Sequence, residues 1–212
     1  MKVICVEGNI GSGKSTLVEN LKQKYADRED VCFLQEPVEQ WLQIKDKDGI
    51  NILEKYYKDQ HTYAFPFQMM AYISRLSILK KAIENPKYKY IITERCLFTD
   101  RNVFCQMLYD DGFIDSIGFQ IYNKWFDEFN YFESVTYSYI YIRTEPTVSK
   151  YRVEKRSRTE ETIPLAYLEK CHSYHENWLN TKDSIITLDG NQDVCINPDI
   201  SSWYNEIDKL LQ

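Results

Sequence analysis

The segment from Gly8 to Thr16 constrains the fold of this chain more than any other part of it. It reads GNIGSGKST, fits the pattern GxxxxGK[ST], and follows an apolar run that is typical of a buried strand. Glycines let the backbone turn so that successive N–H groups point inward, and the helical pattern from Lys14 onward places the positive end of a helix beside them. A strand, such a loop and a helix together bind the phosphates of a nucleotide.

Two side chains of this loop have separate predicted roles. Lys14 can reach the β- and γ-phosphates of a nucleoside triphosphate, and the hydroxyl of Ser15 can hold Mg²⁺. We therefore predict Mg²⁺ with ATP, or with another nucleoside triphosphate, as the cofactor. The predicted phosphate-binding residues of the loop are Gly8, Asn9, Ile10, Gly11, Ser12, Gly13, Lys14, Ser15 and Thr16.

Short β-rich segments alternate with longer segments of helical periodicity along the rest of the chain. We predict strands over residues 2–7, 31–36, 89–94, 137–143 and 184–188, and helices over residues 14–26, 63–83, 115–130, 145–155, 164–180 and 201–211. Strands that alternate with helices form a parallel sheet with right-handed crossovers. The predicted fold is therefore an α/β, P-loop NTPase-type, three-layer fold with a five-stranded parallel sheet, formed by a single domain over residues 1–212.

Composition limits the partners of the protein. The 212 residues carry a net charge of −6, whereas a protein that binds polymeric nucleic acid usually presents a basic surface. No apolar run has the length of a membrane span. The six cysteines form no CxxC pair, and a strand is predicted to start directly after Met1. We therefore expect free thiols and a cytoplasmic rather than a mitochondrial protein.

Nearly every predicted strand ends in a charged residue or is followed by one. These residues are Glu7, Glu36, Glu94, Arg143 and Asp189. Ligands of open α/β sheets bind beyond the carboxyl ends of the strands. We expect several of these charges to line one site, although strand ends that simply exit into solvent would give the same pattern.

Several short segments resemble the deoxyribonucleoside kinase family, in the order and with the spacing of that family over nearly the whole chain. They are residues 7–16, 36–38 with Trp41, 67–68, 74–75, 94–95, 100–101, 156–161, 163–165 and 167–168. A GTPase would carry an NKxD segment, which the sequence lacks. The resemblance implies transfer of the γ-phosphate of ATP to the 5′-hydroxyl of a deoxyribonucleoside, in nucleotide salvage.

The resemblance implies catalytic roles for Glu36 and Arg95. A carboxylate at Glu36 can take the proton of a 5′-hydroxyl as it attacks the γ-phosphate. A guanidinium at Arg95 can hold Glu36 in place and offset charge that develops on the phosphoryl oxygens. Glu94 is a candidate ligand of Mg²⁺ beside Ser15, directly or through water.

A basic segment at about residues 152–163 resembles the arginine-rich lid that covers the phosphates in this family. Arg152 and Arg156 share a helix face because they are four residues apart, and Arg158 follows them. We expect all three to contact phosphate, because phosphoryl transfer needs cationic clamps. Asp193 lies in a segment that resembles the loop around the donor base, and we expect it to line the ATP site.

A further set of residues is predicted to bind the nucleoside. Gln68 carries an amide that can pair with two adjacent atoms of a base edge, and aromatic side chains would form walls around the base and the sugar. In the family, the positions that match Tyr57 and Glu161 hold the sugar 3′-hydroxyl. The lid is one residue shorter here after Glu161, which leaves Glu160 as the alternative. The set is Trp41, Tyr57, Phe67, Gln68, Arg75, Asp100, Phe104 and Glu161.

Arg75 and Asp100 narrow the choice of base. Arg75 lies two helical turns after Gln68 and faces the same side, and an Arg–Asp pair presents an acceptor for the hydrogen of an exocyclic amine. Thymidine-preferring members of the family carry small or apolar residues here. The resemblance therefore implies deoxycytidine, deoxyadenosine or deoxyguanosine over thymidine, without separating cytosine from the purines. A buried structural salt bridge would have the same pattern.

Two other functions stay open at this point. A nucleoside monophosphate kinase, such as a thymidylate kinase, shares the loop and the sheet, although Glu36 is poorly suited to a position near the phosphate of its acceptor. A non-catalytic, NTP-binding regulatory subunit would be expected to lose Glu36 or Arg95, and both are present. The resemblance also implies a homodimer that pairs through helices.

Overall fold

The computed structural model describes residues 1–129, 132, 135–156, 163–192 and 200–212. Five parallel strands form one sheet in the order β2-β3-β1-β4-β5. The strands are β1 (Lys2–Glu7), β2 (Val31–Leu34), β3 (Tyr90–Glu94), β4 (Thr136–Arg143) and β5 (Ile185–Asp189). The predicted number of strands and their parallel direction are confirmed.

All the long helices that the sequence predicts are present, with ends that differ by up to three residues. The helices of the described residues are α1 (Lys14–Lys24), α2 (Val38–Gln43), α3 (Ile52–Lys58), α4 (Gln60–Ile83), α5 (Leu97–Thr99), α6 (Gln106–Asp110), α7 (Ser116–Phe129), α8 (Pro146–Arg156), α9 (Leu165–Leu179) and α10 (Ser201–Asp208). A π-helical segment (Asp100–Cys105) joins α5 to α6, and a 3₁₀ turn (Lys209–Leu211) follows α10. Within the described ranges, no helix combines the length and the apolar character needed to cross a membrane.

Both faces of the sheet are covered by helices. Val3 and Cys5 of β1 belong to a core that includes residues of α2, α3, α4, α7 and α9, whereas Ile4 and Val6 pack with residues of α1 and α10. A strand that is buried on both faces reads as a continuous apolar run, because neither of its faces meets water. This is the three-layer α/β arrangement that the sequence predicts.

The second strand is shorter than predicted. It ends at Leu34, two residues before Glu36, and Pro37 occupies the N-terminal cap position of α2. Proline lacks the N–H that a sheet hydrogen bond needs, and its fixed φ suits the start of a helix. Glu36 therefore lies on a short connection at the carboxyl edge of the sheet, rather than within a strand.

Helix α4 supplies one wall of the candidate site and begins three residues earlier than predicted. The carboxylate of Asp59 accepts a hydrogen bond from the backbone N–H of Thr62 (3.2 Å), which satisfies a donor of the first turn. The buried face of α4 carries Gln68, Ser74 and Arg75. The helix thus presents polar side chains toward the carboxyl edge of the sheet from one rigid element.

Candidate active site

A cavity of about 980 Å³ is lined by the phosphate loop and by residues of α2, α3, α4 and α8. Every predicted site residue that the structure describes lines this cavity, except Gly8 and Asn9. Arg158, Glu161 and Asp193 lie outside the described residues, as do residues 157–162 of the predicted lid. The predicted phosphate-binding, catalytic and substrate-binding residues thus share one cavity.

Two glycines explain the shape of the phosphate loop. Gly11 and Gly13 have φ values of 81° and 98°, which residues with side chains rarely adopt. A Cβ atom on Gly11 would lie 2.6 Å from the carbonyl oxygen of Ser149 in α8, whereas no atom approaches the same position on Gly13. Gly13 precedes α1 and offers no side chain to cap it, so the first N–H groups of this helix can receive an anion.

Lys14 and Asn9 are buried side chains of the phosphate loop. The ammonium of Lys14 is buried and donates a hydrogen bond to the carbonyl oxygen of Asn9 (2.7 Å). Burial and the nearby charge of Arg95 lower the pKa of Lys14 to about 7. The side-chain nitrogen of Asn9 donates to the carbonyl oxygen of Leu168 in α9 (2.8 Å), so Asn9 braces the loop instead of facing the cavity.

Ser15 and Glu94 meet where α1 begins and β3 ends. The hydroxyl of Ser15 donates a hydrogen bond to the carboxylate of Glu94 (2.7 Å), and both residues line the cavity. Hydroxyl and carboxylate oxygens are the hard ligands that Mg²⁺ prefers. The two residues therefore fit the magnesium site that the sequence predicts.

Two arginines hold the carboxylate of Glu36. Its Oε1 accepts hydrogen bonds from Nη1 of Arg95 (2.7 Å) and from Nη2 of Arg75 (2.9 Å). Burial opposes the ionisation of Glu36, but the charges of Arg95, Arg75 and Lys14 outweigh it and lower the pKa of this carboxyl to about 2. Glu36 therefore stays ionised at physiological pH.

Arg95 has an unusual backbone and an incompletely paired side chain. Its φ of 60° is the one positive value found for a non-glycine residue in the described part of the chain. Its guanidinium is buried, yet Nε and Nη2 have no hydrogen-bond partner among the described residues. Buried donors without partners are unfavourable. The side chain is therefore suited to an anionic ligand in the cavity.

Arg75 makes the predicted contact with Asp100 and two more. Its Nε donates to Asp100 (2.9 Å), its Nη1 donates to the carbonyl oxygen of Glu94 (2.8 Å), and its Nη2 donates to Glu36. Arg75 and Asp100 are both buried at the wall of the cavity. The pair is thus connected to the candidate catalytic carboxylate, which sequence spacing alone did not indicate.

The part of the cavity that holds the predicted nucleoside-binding residues has aromatic walls. Phe67 stacks on Tyr56 with ring centroids 4.6 Å apart, and Trp41 meets Phe67 edge-on at 5.3 Å. The indole N–H of Trp41 donates to the hydroxyl of Ser74 (2.9 Å), which fixes its ring. Gln68 is buried, and its Oε1 has no partner among the described residues. A buried amide oxygen without a partner, in a cavity that aromatic rings also line, is suited to the edge of a base.

The two arginines of the predicted lid that the structure describes, Arg152 and Arg156, lie on α8 and line the cavity. The guanidinium of Arg152 donates to the carbonyl oxygens of Gly190 (2.7 Å) and Gln192 (3.0 Å), and this contact joins α8 to the loop after β5. Arg156 is the last residue of α8. The predicted lid therefore begins on a helix that already contacts the loop predicted to surround the donor base.

Two tyrosines of the cavity wall that hydrogen-bond to each other, Tyr56 and Tyr167, have no predicted site role. The hydroxyls of Tyr56 and Tyr167 are 2.9 Å apart, and both residues line the cavity. Tyr57, which was predicted, lies beside them with its ring 5.1 Å from that of Tyr56. The sequence has seventeen tyrosines in helices and strands alike, so residue type offers no signal for these two.

The charged strand ends contribute less to the site than expected. Glu36 and Glu94 line the cavity, whereas the other three do not. Arg143 instead pairs with Glu176 (3.2 Å), and its side chain is 43% exposed. A charge at a strand end therefore marks the correct edge of the sheet but not the direction of the side chain.

The fold and the cavity define a P-loop kinase, because a phosphate loop, a carboxylate held by two arginines and an aromatic pocket open into one space. The sequence model of the deoxynucleoside kinase family matches residues 4–212, and the chain belongs to this family. It is 37% identical to a probable deoxycytidine kinase of Fowlpox virus (strain NVSL), over 84% of this chain and 72% of that protein. It is 33% identical to deoxycytidine kinase of Homo sapiens, over 91% and 85% of the two chains.

The protein is accordingly an ATP-dependent phosphotransferase that acts on deoxynucleosides. The match covers the phosphate loop, the connection that carries Glu36 and the end of β3 in one family model. A nucleoside monophosphate kinase and a non-catalytic subunit, the two functions left open by the sequence, are disfavoured by this membership.

Proposed function

We propose that the enzyme transfers the γ-phosphoryl group of ATP to the 5′-hydroxyl of a deoxyribonucleoside, with Glu36 as general base and Arg95 as the residue that stabilises the transferring group. The observation that carries the proposal is the pair of hydrogen bonds from Arg95 and Arg75 to Oε1 of Glu36. These bonds hold an ionised carboxylate in the cavity that the phosphate loop also lines. A hydroxyl bound against Glu36 would lie between this carboxylate and the phosphates.

Glu36 acts first by orientation. A carboxyl with a pKa of about 2 is a weak base toward an alcohol. In a loose phosphoryl-transfer transition state, however, the new O–P bond is barely formed and the acceptor keeps its proton until late. Glu36 therefore accepts a hydrogen bond from the 5′-hydroxyl, aligns it, and takes the proton as the bond forms. Arg95 offers its unpaired Nε and Nη2 to the phosphoryl oxygens.

Ser15 and Glu94 are the proposed ligands of the Mg²⁺ that accompanies ATP, and their facing oxygens support the assignment. When bound, the ion neutralises charge on the β- and γ-phosphates. Lys14, Arg152 and Arg156 complete the proposed phosphate clamp around the cavity. The roles of Arg158 and Asp193 stay predictions outside the described residues.

Binding of ATP is expected to take up close to one proton at about pH 8. Lys14 has a pKa of about 7 in the free protein, and the phosphates favour its charged form. As the pH rises above this value, the affinity for ATP should fall by up to about tenfold per pH unit. Calorimetric titration with ATP in two buffers of different ionisation enthalpy measures the uptake. Lys14→Arg, which stays charged, should take up no proton; an equal uptake by this variant would contradict the assignment.

The preferred nucleoside is proposed to carry an exocyclic amine. Asp100 is held by Arg75 at the wall of the cavity, and its carboxylate can accept a hydrogen bond from such an amine. The amide oxygen of Gln68 offers a second acceptor on the same helix face as Arg75. The names of the relatives, which are deoxycytidine kinases, support deoxycytidine first. Tyr57 and Glu161 remain the proposed contacts of the 3′-hydroxyl.

Deoxycytidine is expected to have a kcat/KM at least about tenfold above that of thymidine. Thymine carries the acceptor O4 where cytosine carries its amine, so O4 would face the carboxylate of Asp100, which is also an acceptor. Initial rates with ATP–Mg²⁺ and deoxycytidine, deoxyadenosine, deoxyguanosine and thymidine test the order. A preference for thymidine would refute the role of Asp100 while leaving the family assignment unchanged.

We further propose that the protein forms a homodimer through α4 and α7. Ile73 of α4 is 45% exposed, and four large apolar side chains with 42–66% exposure recur every four residues along α7. These are Ile117, Ile121, Trp125 and Phe129. A contiguous apolar stripe of this kind marks an interaction surface. A second copy of the chain can cover it with the same stripe, as two-fold symmetry requires.

The double variant Ile121→Asp/Trp125→Asp is expected to be monomeric at concentrations at which the wild type is dimeric. A carboxylate at the centre of an apolar interface would be buried without a partner. Analytical ultracentrifugation measures the association. Ile44→Asp is the matched control, because Ile44 is 49% exposed and lies outside the stripe; this variant should stay dimeric. A wild type that sediments as a monomer up to its highest soluble concentration would refute the proposal.

A further inference from the structure

The turn after β3 contains a buried hydrogen-bond network that the proposed chemistry does not use. At its centre is the hydroxyl of Thr99, which donates to Oε2 of Glu7 (2.7 Å) and accepts from the backbone N–H of Cys96 (3.3 Å). On the strand side, the hydroxyl of Thr93 donates to the carbonyl oxygen of Arg95 (2.9 Å). The turn is therefore held from both of its ends.

The backbone conformation of Arg95 depends on such hydrogen bonds. A residue with a side chain adopts a φ of 60° only when the surrounding structure imposes it. The backbone N–H of Arg95 donates to the carbonyl oxygen of Val6 (2.9 Å), and its carbonyl oxygen accepts from Thr93. With both backbone groups fixed, the guanidinium is directed toward Glu36.

Glu7 connects this turn to the phosphate loop. It is the last residue of β1, directly before Gly8, and it is 0% exposed. One of its oxygens is bonded to Thr99, while Oε1 has no partner among the described residues. Burial raises the pKa of this carboxyl against the opposing effect of the Thr99 hydroxyl. An apolar side chain would stabilise such a core position more simply, so stability alone does not account for Glu7.

Thr99 also lies next to Asp100, which holds the second arginine that contacts Glu36. Asp100 is the next residue, and its carboxylate accepts from Arg75, which in turn donates to Glu36. The two arginines that hold Glu36 are thus fixed at opposite ends of the same turn. Arg95 is its first residue, and Arg75 donates a hydrogen bond to Asp100, its last residue. A displacement of the turn would disturb both contacts together.

We propose that Glu7, Thr93 and Thr99 are positioning residues for phosphoryl transfer, which fix the turn over residues 95–100 so that Arg95 and Arg75 both hold Glu36. They touch no reacting atom and act through the two arginines. The inference rests on the proposed function, because it assumes that Glu36 and Arg95 perform the chemistry.

Thr99→Val removes the central hydroxyl at nearly constant size. We expect kcat to fall about 10- to 100-fold, because small displacements of a catalytic group have effects of this order. The KM for ATP should change by less than about threefold, because its proposed contacts on the phosphate loop and on α8 lie outside the turn. Thr99→Ser keeps the hydroxyl and should restore most of kcat.

Thr181→Val is the matched control, because it removes a hydroxyl that donates to the carbonyl oxygen of Trp178 outside the cavity. Its kcat should equal that of the wild type.

A Thr99→Val variant that melts at a lower temperature but keeps the wild-type kcat would show a merely structural network and overturn the proposal. If Thr99→Val does not fold, Thr93→Val carries the same expectation, because it acts on the same turn and places a strand-favouring residue in β3. Glu36→Gln is measured in parallel. An active Glu36→Gln would overturn the proposed function, whereas an inactive Glu36→Gln beside fully active Thr99→Val and Thr93→Val would overturn the positioning role alone.

Discussion

Replacement of Glu36 by glutamine is expected to lower kcat by about 10²- to 10⁴-fold, the range that general bases contribute. The amide has nearly the size of the carboxylate, but it cannot take a proton, and it loses the charge that attracts Arg75 and Arg95. The KM for ATP should change little, because Glu36 would contact the acceptor. Initial rates with ATP–Mg²⁺ and deoxycytidine measure the effect.

Glu84→Gln is the control for this change. Glu84 caps the end of α4 and forms a 3.9 Å contact with Lys80, with both side chains more than 60% exposed. Its neutralisation should leave kcat unchanged, as is usual for exposed ion pairs. A Glu36→Gln enzyme with a kcat near that of the wild type would show that Glu36 is not the general base.

Replacement of Arg95 by lysine is expected to lower kcat by about 10²- to 10³-fold, the loss typical of a donor that stabilises transition-state charge. Lysine keeps the positive charge but lacks the planar fork of a guanidinium. The three N–H donors of an ammonium radiate from one atom, so they cannot reproduce the separate positions of Nη1, which holds Glu36, and of Nε and Nη2. Single-turnover rates at saturating ATP and deoxycytidine separate this effect from binding.

Arg28→Lys is the control for this change, because it tests whether replacing any arginine that pairs with a carboxylate lowers the rate. Arg28 donates to both carboxylate oxygens of Asp30, at 2.7 and 3.0 Å, outside the cavity. This variant should keep a single-turnover rate within about twofold of the wild type, because the pair is partly exposed and lies outside the cavity. The assignment of Arg95 fails if Arg95→Lys changes only the affinity for ATP.

Much of the fold could be predicted from the sequence, because its signals are local. The glycine positions of the phosphate loop follow from the close approach at Gly11 and the left-handed backbone at Gly13. The five strands read as apolar runs because helices cover both faces of the sheet. Helices α2 and α3 were missed because six or seven residues span at most two turns and leave too little periodicity to recognise.

The arrangement of the site could be predicted only in part. The family resemblance indicated Glu36 and Arg95, and the structure places them in contact. The hydrogen bond from Arg75 to Glu36 joins residues that are 39 positions apart, and no local sequence pattern predicts it. The positive φ of Arg95 has no sequence signature either, because it is imposed by β1 and by Thr93 rather than by the residue type. Non-local contacts thus decide how the predicted residues cooperate.

The most direct test of the account compares two acceptors with the wild-type enzyme and ATP–Mg²⁺: deoxycytidine and deoxycytidine 5′-monophosphate. An ionised Glu36 in the acceptor site should align a free 5′-hydroxyl and repel a 5′-phosphate. We expect rapid formation of the monophosphate from deoxycytidine and negligible phosphorylation of the monophosphate itself. Efficient phosphorylation of the monophosphate, with none of the nucleoside, would contradict it.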